Sequence, residues 1–177
     1  MAVLTPRNLA EAAAMLAEHP DAHLLSGGTD FMVEVNFNHR KPETVISLGR
    51  VGELAGVEDT PAGIRIGAGV TWAELERAPL ANRLPALAQA ARTVGSPQIR
   101  AAGTIGGNLG TCSPAGDGLP VLAATEAIVH LHSTRGERSV PFSEFMTGPK
   151  RNARQSDEII SAVTVPEPDG AQGYAKV

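Results

Sequence analysis

Two short stretches decide how this chain reads: residues 22–31, Ala22-His23-Leu24-Leu25-Ser26-Gly27-Gly28-Thr29-Asp30-Phe31, and residues 104–108, Thr104-Ile105-Gly106-Gly107-Asn108. In the first, a short apolar run passes through two glycines into the mouth of an expected helix. Glycine tolerates positive φ and lets backbone N–H groups close on an anion, and a helix N-terminus adds partial positive charge. Thr29 contributes a hydroxyl. Taken alone, the ordinary reading is a tight strand-to-helix turn without a ligand. In the second stretch, a glycine pair is again flanked by side chains able to bond phosphate or sugar oxygens. The two pairs are about eighty residues apart. Two converging loops of this kind suit a dinucleotide, whose extended pyrophosphate and polar ends one turn cannot hold. Neither loop carries the G-x-G-x-x-G fingerprint or the phosphate loop ending in G-K-S/T. Gly67-Ala68-Gly69 resembles part of the former and reads instead as a strand end.

The elements around these loops follow from periodicity. Residues 5–19 predict a helix with Thr5 as its cap, Pro6 in its first turn and Leu9, Ala13 and Leu16 on one face, stopped at His19-Pro20. A buried strand is expected at residues 22–25, a short helix after Gly28, and a second strand at residues 45–48. Strand, helix and strand at this spacing predict a small parallel α/β lobe covering residues 1–52. Beyond it, residues 63–67 alternate like a half-exposed strand. Thr71 and Glu74 form a capping box that opens a helix to Ala78, and a longer helix is expected over residues 84–94. Residues 95–120, rich in Gly, Pro, Ser and Thr, read as a long loop, which in a compact domain is usually functional. Then come a short helix at 121–125, a hairpin of residues 127–133 and 138–141 around residues 134–137, and a strand at 158–165. Residues 174–177 read as the start of another strand. An α+β second lobe over residues 53–177 is the expectation.

Composition bounds the function. The chain has 177 residues, 42% of them hydrophobic and only 3% aromatic, so its core is built from Ala, Val, Leu and Ile. A net charge of −4 with no basic run argues against a nucleic-acid surface. The single cysteine, Cys112, rules out an internal disulfide and an iron–sulfur cluster held by this chain alone. No apolar run approaches the roughly 18 residues of a membrane helix, and no signal-peptide core is evident, so the expectation is a cytoplasmic protein without membrane insertion.

Leu24 to Asp30, residues 104–122 (Thr-Ile-Gly-Gly-Asn-Leu-Gly-Thr-Cys-Ser-Pro-Ala-Gly-Asp-Gly-Leu-Pro-Val-Leu), Val140 to Pro149, Asp157 to Pro166 and Tyr174 to Val177, in this order and spacing, resemble the FAD-binding (medium) subunit of the molybdenum hydroxylase family. Xanthine dehydrogenase and the bacterial carbon monoxide, nicotine and aldehyde dehydrogenases belong to that family. The resemblance covers essentially the whole chain. It implies an α+β, two-lobed FAD-binding fold of the vanillyl-alcohol-oxidase/MurB type, with non-covalent FAD between the lobes. It further implies an oxidoreductase flavoprotein within a heterotrimer. Electrons would come from an iron–sulfur subunit, after hydroxylation on a molybdopterin-bearing subunit, and leave to an external acceptor such as NAD, a quinone or oxygen. Carried over by position, Leu24, Leu25, Ser26, Gly27, Gly28, Thr29, Asp30 and Phe31 match the first pyrophosphate loop, with Asp30 at a variable position. Thr104, Ile105, Gly106, Gly107 and Asn108 match the second. Asp117 falls on the flavin-site aspartate, Ile160 on a hydrophobic residue beside the flavin, and Lys176 on a lysine contacting FAD. Family members usually continue into a separate C-terminal domain, which is expected to be absent here. A stand-alone flavin reductase or oxidase of the same fold, or a non-redox nucleotide-binding module, remain alternatives.

Other candidates are weaker. Asp117, between glycines ahead of a helix, reads by itself first as that helix's cap. His130 and His132 share a strand face without an evident third ligand, and so read as surface histidines. Cys112 has no base that sequence can nominate. Trp72 is expected to pack against the second lobe, and residues 150–154 (Lys-Arg-Asn-Ala-Arg) to form a solvated loop.

Overall fold

The computed structural model describes residues 1–176. Its first sheet is built from β1 (Ala2–Leu4), β2 (His23–Leu25) and β3 (Thr44–Ser47), in the order β1-β3-β2 and all parallel. Parallel neighbours need crossovers, supplied here by α1 (Leu9–Glu18) and α2 (Phe31–Asn36). The helix expected from Thr5 begins only at Leu9. Asn8 caps it, its Oδ1 accepting from the Glu11 N–H at 2.8 Å, while the Glu11 carboxylate accepts from the Arg7 N–H at 2.8 Å. That reciprocal pair fixes the start and leaves Thr5 and Pro6 outside. β2 is half-buried rather than buried, because it is an edge strand facing an open cleft.

The second sheet has the order β4-β5-β10-β6-β7, antiparallel throughout. β4 (Val57–Thr60) and β5 (Gly63–Gly67) form one hairpin, β6 (Ile128–Ser133) and β7 (Gly136–Pro141) another. The last strand, β10 (Ile159–Val165), enters between them and is buried on both faces. This explains why its sequence is a near-continuous apolar run rather than an alternating one. α1 packs against β3 and also against β6 and β10, so Ala12 and Leu16 join one core with Ile46, Val129 and Val163.

Between the hairpins lie six helices: α3 (Trp72–Leu75), α4 (Leu80–Arg83), α5 (Pro85–Thr93), α6 (Pro97–Ala102), α7 (Ile105–Thr111) and α8 (Gly118–Ala124). The Thr71 capping box is present with both its bonds, although the helix it opens ends at Leu75. Residues 95–120 are largely helical, not loop. Ser96 and Thr104 cap α6 and α7, with Pro97 at the first position of α6. The glycines of α7 are tolerated because packing requires them: a Cβ on Gly106 would lie 2.5 Å from the Ala68 side chain. After β7 come α9 (Phe142–Phe145) and the small hairpin of β8 (Met146–Gly148) and β9 (Arg151–Asn152). Residues 171–176 form no strand, so the expected final strand is absent up to Lys176, and Val177 lies outside the described residues.

One ion pair closes the second sheet. Glu158, 2% exposed, accepts from Arg138 Nε at 2.6 Å and its terminal nitrogen at 2.8 Å, and from the Gln155 N–H at 2.7 Å. Those Arg138 bonds hold the Glu158 carboxyl below the usual range despite burial. Glu158→Ala removes a two-pronged charged acceptor, which costs about 2 kcal/mol. The urea midpoint should fall accordingly with an unchanged slope. Asp157→Ala, at a more exposed position, should shift it far less.

Candidate functional site

β2 delivers Ser26 to the first turn. A Cβ on Gly27 would fall on the Ala102 carbonyl oxygen, far inside van der Waals contact, so this glycine is dictated by the end of α6. Gly28 has φ +72°, a left-handed backbone that glycine adopts without strain. The turn then enters α2, with Asp30 at the cap position but making no side-chain cap bond. Among the described residues, the N–H groups of residues 27–30 donate to no protein acceptor. Four unspent amides on one tight turn form a seat for an anion.

The second turn is built differently. The first-turn amides of α7 are already used: Ile105 N–H donates to Val70 O, Gly106 to Ala68 O, Gly107 to Thr104 Oγ1 and Asn108 to Thr104 O. Side chains remain to meet a ligand. Thr104 Oγ1 lies 3.1 Å from Ser26 Oγ, which joins the two turns directly. Asn108 Oδ1 is buried beside the cleft and has no hydrogen-bond partner among the described residues. Ile105 departs from the expectation: it is fully buried in the core and anchors α7 rather than lining the cleft.

The cleft between the turns has a volume of about 490 Å³. Leu24 to Phe31, Thr104, Gly106, Gly107, Asn108, Asp117 and Ile160 all line it. Trp72, 3% exposed, forms part of its wall. Its ring fills the space beside Gly118, where a Cβ would lie 2.5 Å away. At one end Arg40 sits 5.5 Å over the Phe31 ring, contacts His23 Nδ1 at 3.1 Å and pairs with Glu34 at 2.5 Å. Burial, reinforced by Arg40, pushes the His23 imidazole down. Lys150 reaches Glu34 at 3.5 Å from the β8–β9 turn. Residues 150–154 are thus only partly the solvated loop expected, with Lys150 and Arg151 exposed and residues 152–154 half-buried. Lys150 and Arg154 line the cleft, and Arg154 donates to the carbonyl oxygens of Gln155, Ser156 and Glu158.

At the other end, Asp117 Oδ1 accepts from Thr93 Oγ1 at 3.0 Å, Tyr174 OH at 3.1 Å and Lys176 Nζ at 2.7 Å. It makes no side-chain bond to the start of α8, so the capping role fails: its oxygen is spent elsewhere. Burial raises this carboxyl, but the three donors and the Lys176 charge outweigh it, and the net shift is downward. Lys176 reaches the site only through Asp117 and does not itself line the cleft. Elsewhere, His130 is taken up by Ser139 and Thr164, and no cluster of metal-ligating side chains occurs among the described residues. Cys112 is buried, which pushes its thiol up and away from nucleophile chemistry.

Sequence reasoning missed Arg40, Trp72, Thr93, Lys150, Arg154 and Tyr174. Only Lys150 and Arg154 carried a signal, their placement shortly before the last strand.

Residues 1–168 match the family described as the FAD binding domain in molybdopterin dehydrogenase. The chain belongs to this family. It is similar to the nicotinate dehydrogenase FAD-subunit of Eubacterium barkeri. The two are 39% identical over 176 residues, which cover 96% of this chain and 60% of that protein. The medium chain of carbon monoxide dehydrogenase from Hydrogenophaga pseudoflava is 32% identical over 172 residues, covering 96% and 60%. Among solved structures, quinoline 2-oxidoreductase from Pseudomonas putida 86 superposes with a TM-score of 0.92 at 26% identity, over 96% of this chain and 60% of that one. MurB from Thermus caldophilus, with a TM-score of 0.51 and 17% identity, shares the fold alone. The α+β architecture is thus that of the two-lobed FAD-binding fold. The chain spans about 60% of the length of these relatives. No helix among the described residues is long and apolar enough to cross a membrane.

The residues present fit FAD. The unspent amides of residues 27–30 suit a pyrophosphate, and the orphaned Asn108 Oδ1 suits a donor on the ligand.

Proposed function

We propose that this chain holds FAD non-covalently in the cleft and serves as the electron-transfer flavoprotein part of a molybdenum-containing hydroxylase. The observation that carries the reading is the junction of the two turns through Ser26 and Thr104, over one cleft lined by unspent amides. Residues 1–52 and 53–177 act as the two lobes of this site, each contributing one turn. Residues 27–30 bind the pyrophosphate, and Arg40 and Lys150 add positive charge at that end. Asn108 orients the ligand through its free oxygen. Trp72 and Ile160 exclude water from the inner wall. Asp117 and Lys176 fix the far mouth, where the flavin-site positions of the family fall.

Bound FAD supplies the exchange of single electrons for electron pairs. As a carrier, the chain needs no side chain to act as nucleophile, acid or base. An iron–sulfur partner subunit supplies the electrons in this reading, since Cys112, the sole cysteine of these 177 residues, cannot hold a cluster alone. A molybdenum-cofactor subunit performs the hydroxylation, and NAD, a quinone or oxygen takes the electrons on. The relatives, named for nicotinate, carbon monoxide and quinoline, support this class of complex, and the cytoplasm is its proposed location.

The purified chain should be yellow, or become so on adding FAD, with a flavin absorption spectrum. Acid or heat release followed by chromatography should return intact FAD with none left on the polypeptide. Recovery of FMN alone, or no flavin under any loading condition, would overturn the proposal.

A further inference from the structure

After β10 the chain does not leave the molecule. Residues 166–176 run back as an irregular segment that crosses α5 and ends at the cleft mouth. Arg83 holds its start, Nε to Glu167 at 2.6 Å. The Tyr174 N–H donates to Gln89 Oε1 at 2.8 Å, and the ring packs against the core. No other amide of residues 166–176 donates a hydrogen bond among the described residues. The segment is a strap held by side chains at a few points, and local opening of such a segment is inexpensive.

Its last anchor is Asp117. Two donors from the strap, Tyr174 and Lys176, converge on one oxygen of this carboxylate, together with the α5 hydroxyl of Thr93, whose single proton it shares with the Ala90 carbonyl oxygen 2.7 Å from that hydroxyl. Asp117 Oδ2 accepts nothing among the described residues, and Asp117 lines the cleft. One carboxylate thus holds the strap through one oxygen while lining the ligand space, with its other oxygen uncommitted among the described residues. Whatever fixes the carboxylate from the cleft side also fixes the acceptor that the strap needs.

We propose that the strap and the cleft are coupled through Asp117, with Thr93 and Tyr174 as positioning residues that set its orientation. Resting on the reading of the cleft as the FAD site, this makes FAD binding close the strap and strap closure tighten FAD. Linkage requires the two effects to be equal in size.

Chymotrypsin cleavage at Tyr174–Ala175, followed by mass spectrometry on the full chain with and without saturating FAD, measures strap opening. With low protease the rate tracks the open population. FAD should slow this cut about tenfold, the scale of ordinary inter-site coupling. Tyr174→Phe keeps an aromatic residue at the scissile bond but removes the phenol. It should lose most of the protection and lower FAD affinity by the same factor. Thr93→Val should act in the same direction without touching the strap, and Thr93→Ser should restore protection. If FAD binds, as its absorption spectrum reports, and the cut proceeds at an unchanged rate, the coupling is wrong while the FAD reading stands. If Tyr174→Phe weakens FAD without loss of protection, the coupling is equally wrong. If FAD does not bind at all, both fall.

Discussion

Gly27→Ala should lower FAD affinity by about two orders of magnitude while leaving most secondary structure intact. The added Cβ falls on the carbonyl oxygen of Ala102, a backbone atom fixed at the end of α6. A flexible side chain could swing away, but a helix terminus packed beside Trp72 cannot do so cheaply. Relieving the overlap must pull the first turn off the second and stretch the contact between Ser26 and Thr104. Overpacking of this kind costs ~3 kcal/mol, and at 1.4 kcal/mol per tenfold that is about a hundredfold in affinity. Gly49→Ala, where a Cβ meets nothing within 4 Å, is the matched control and should bind normally. Flavin fluorescence titration gives the affinities and far-ultraviolet circular dichroism checks the fold. Equal affinity in both variants would show that the turns need not touch to hold the ligand.

The second large effect concerns the source of electrons. Alone, the chain should hold its flavin oxidised for minutes or longer in the presence of purines, aldehydes or N-heterocycles under anaerobic conditions. Among the described residues no group of three or more His, Cys, Asp or Glu side chains is placed to hold a metal ion that could activate a C–H bond. With the iron–sulfur and molybdenum subunits added, the correct substrate should bleach the flavin absorbance within about a second, the scale of ordinary turnover. Omitting the iron–sulfur subunit should return the slow behaviour. Stopped-flow absorbance near the flavin maximum reads all three conditions. Rapid bleaching of the isolated chain by such a substrate would instead identify a self-sufficient oxidase.

Much of this was legible in the sequence because local chemistry and global packing agree there. The parallel lobe, the Thr71 capping box, the hairpin of β6 and β7 and the buried last strand each have a local pattern that their surroundings leave intact. The failures share one cause. Glycine in residues 95–120 reads as loop because propensity is a statement about isolated chain, whereas Gly106 is helical since Ala68 leaves no room for a side chain there. Gly27 reads as a ligand glycine, and the sequence gives no hint that the Ala102 carbonyl also demands glycine there. Ile105 sits within a binding motif yet is fully buried, because the first turn of α7 packs into the core there. Thr93 had no local signal, because the Asp117 carboxylate it meets is distant in the chain.

The central place of β10 has a bearing on synthesis. The hairpins flanking it can each form from neighbouring residues, but the strand that joins them comes last of all. Until Val165 has left the ribosome, both hairpins present a bare inner edge, and such edges invite pairing with other chains. The sheet is completed only by insertion of its middle strand, a late and non-local closure of the sort that slows folding. Nascent chains stalled before Ile159 therefore expose both inner edges, and the cleft wall that Ile160 provides forms only once this strand has inserted.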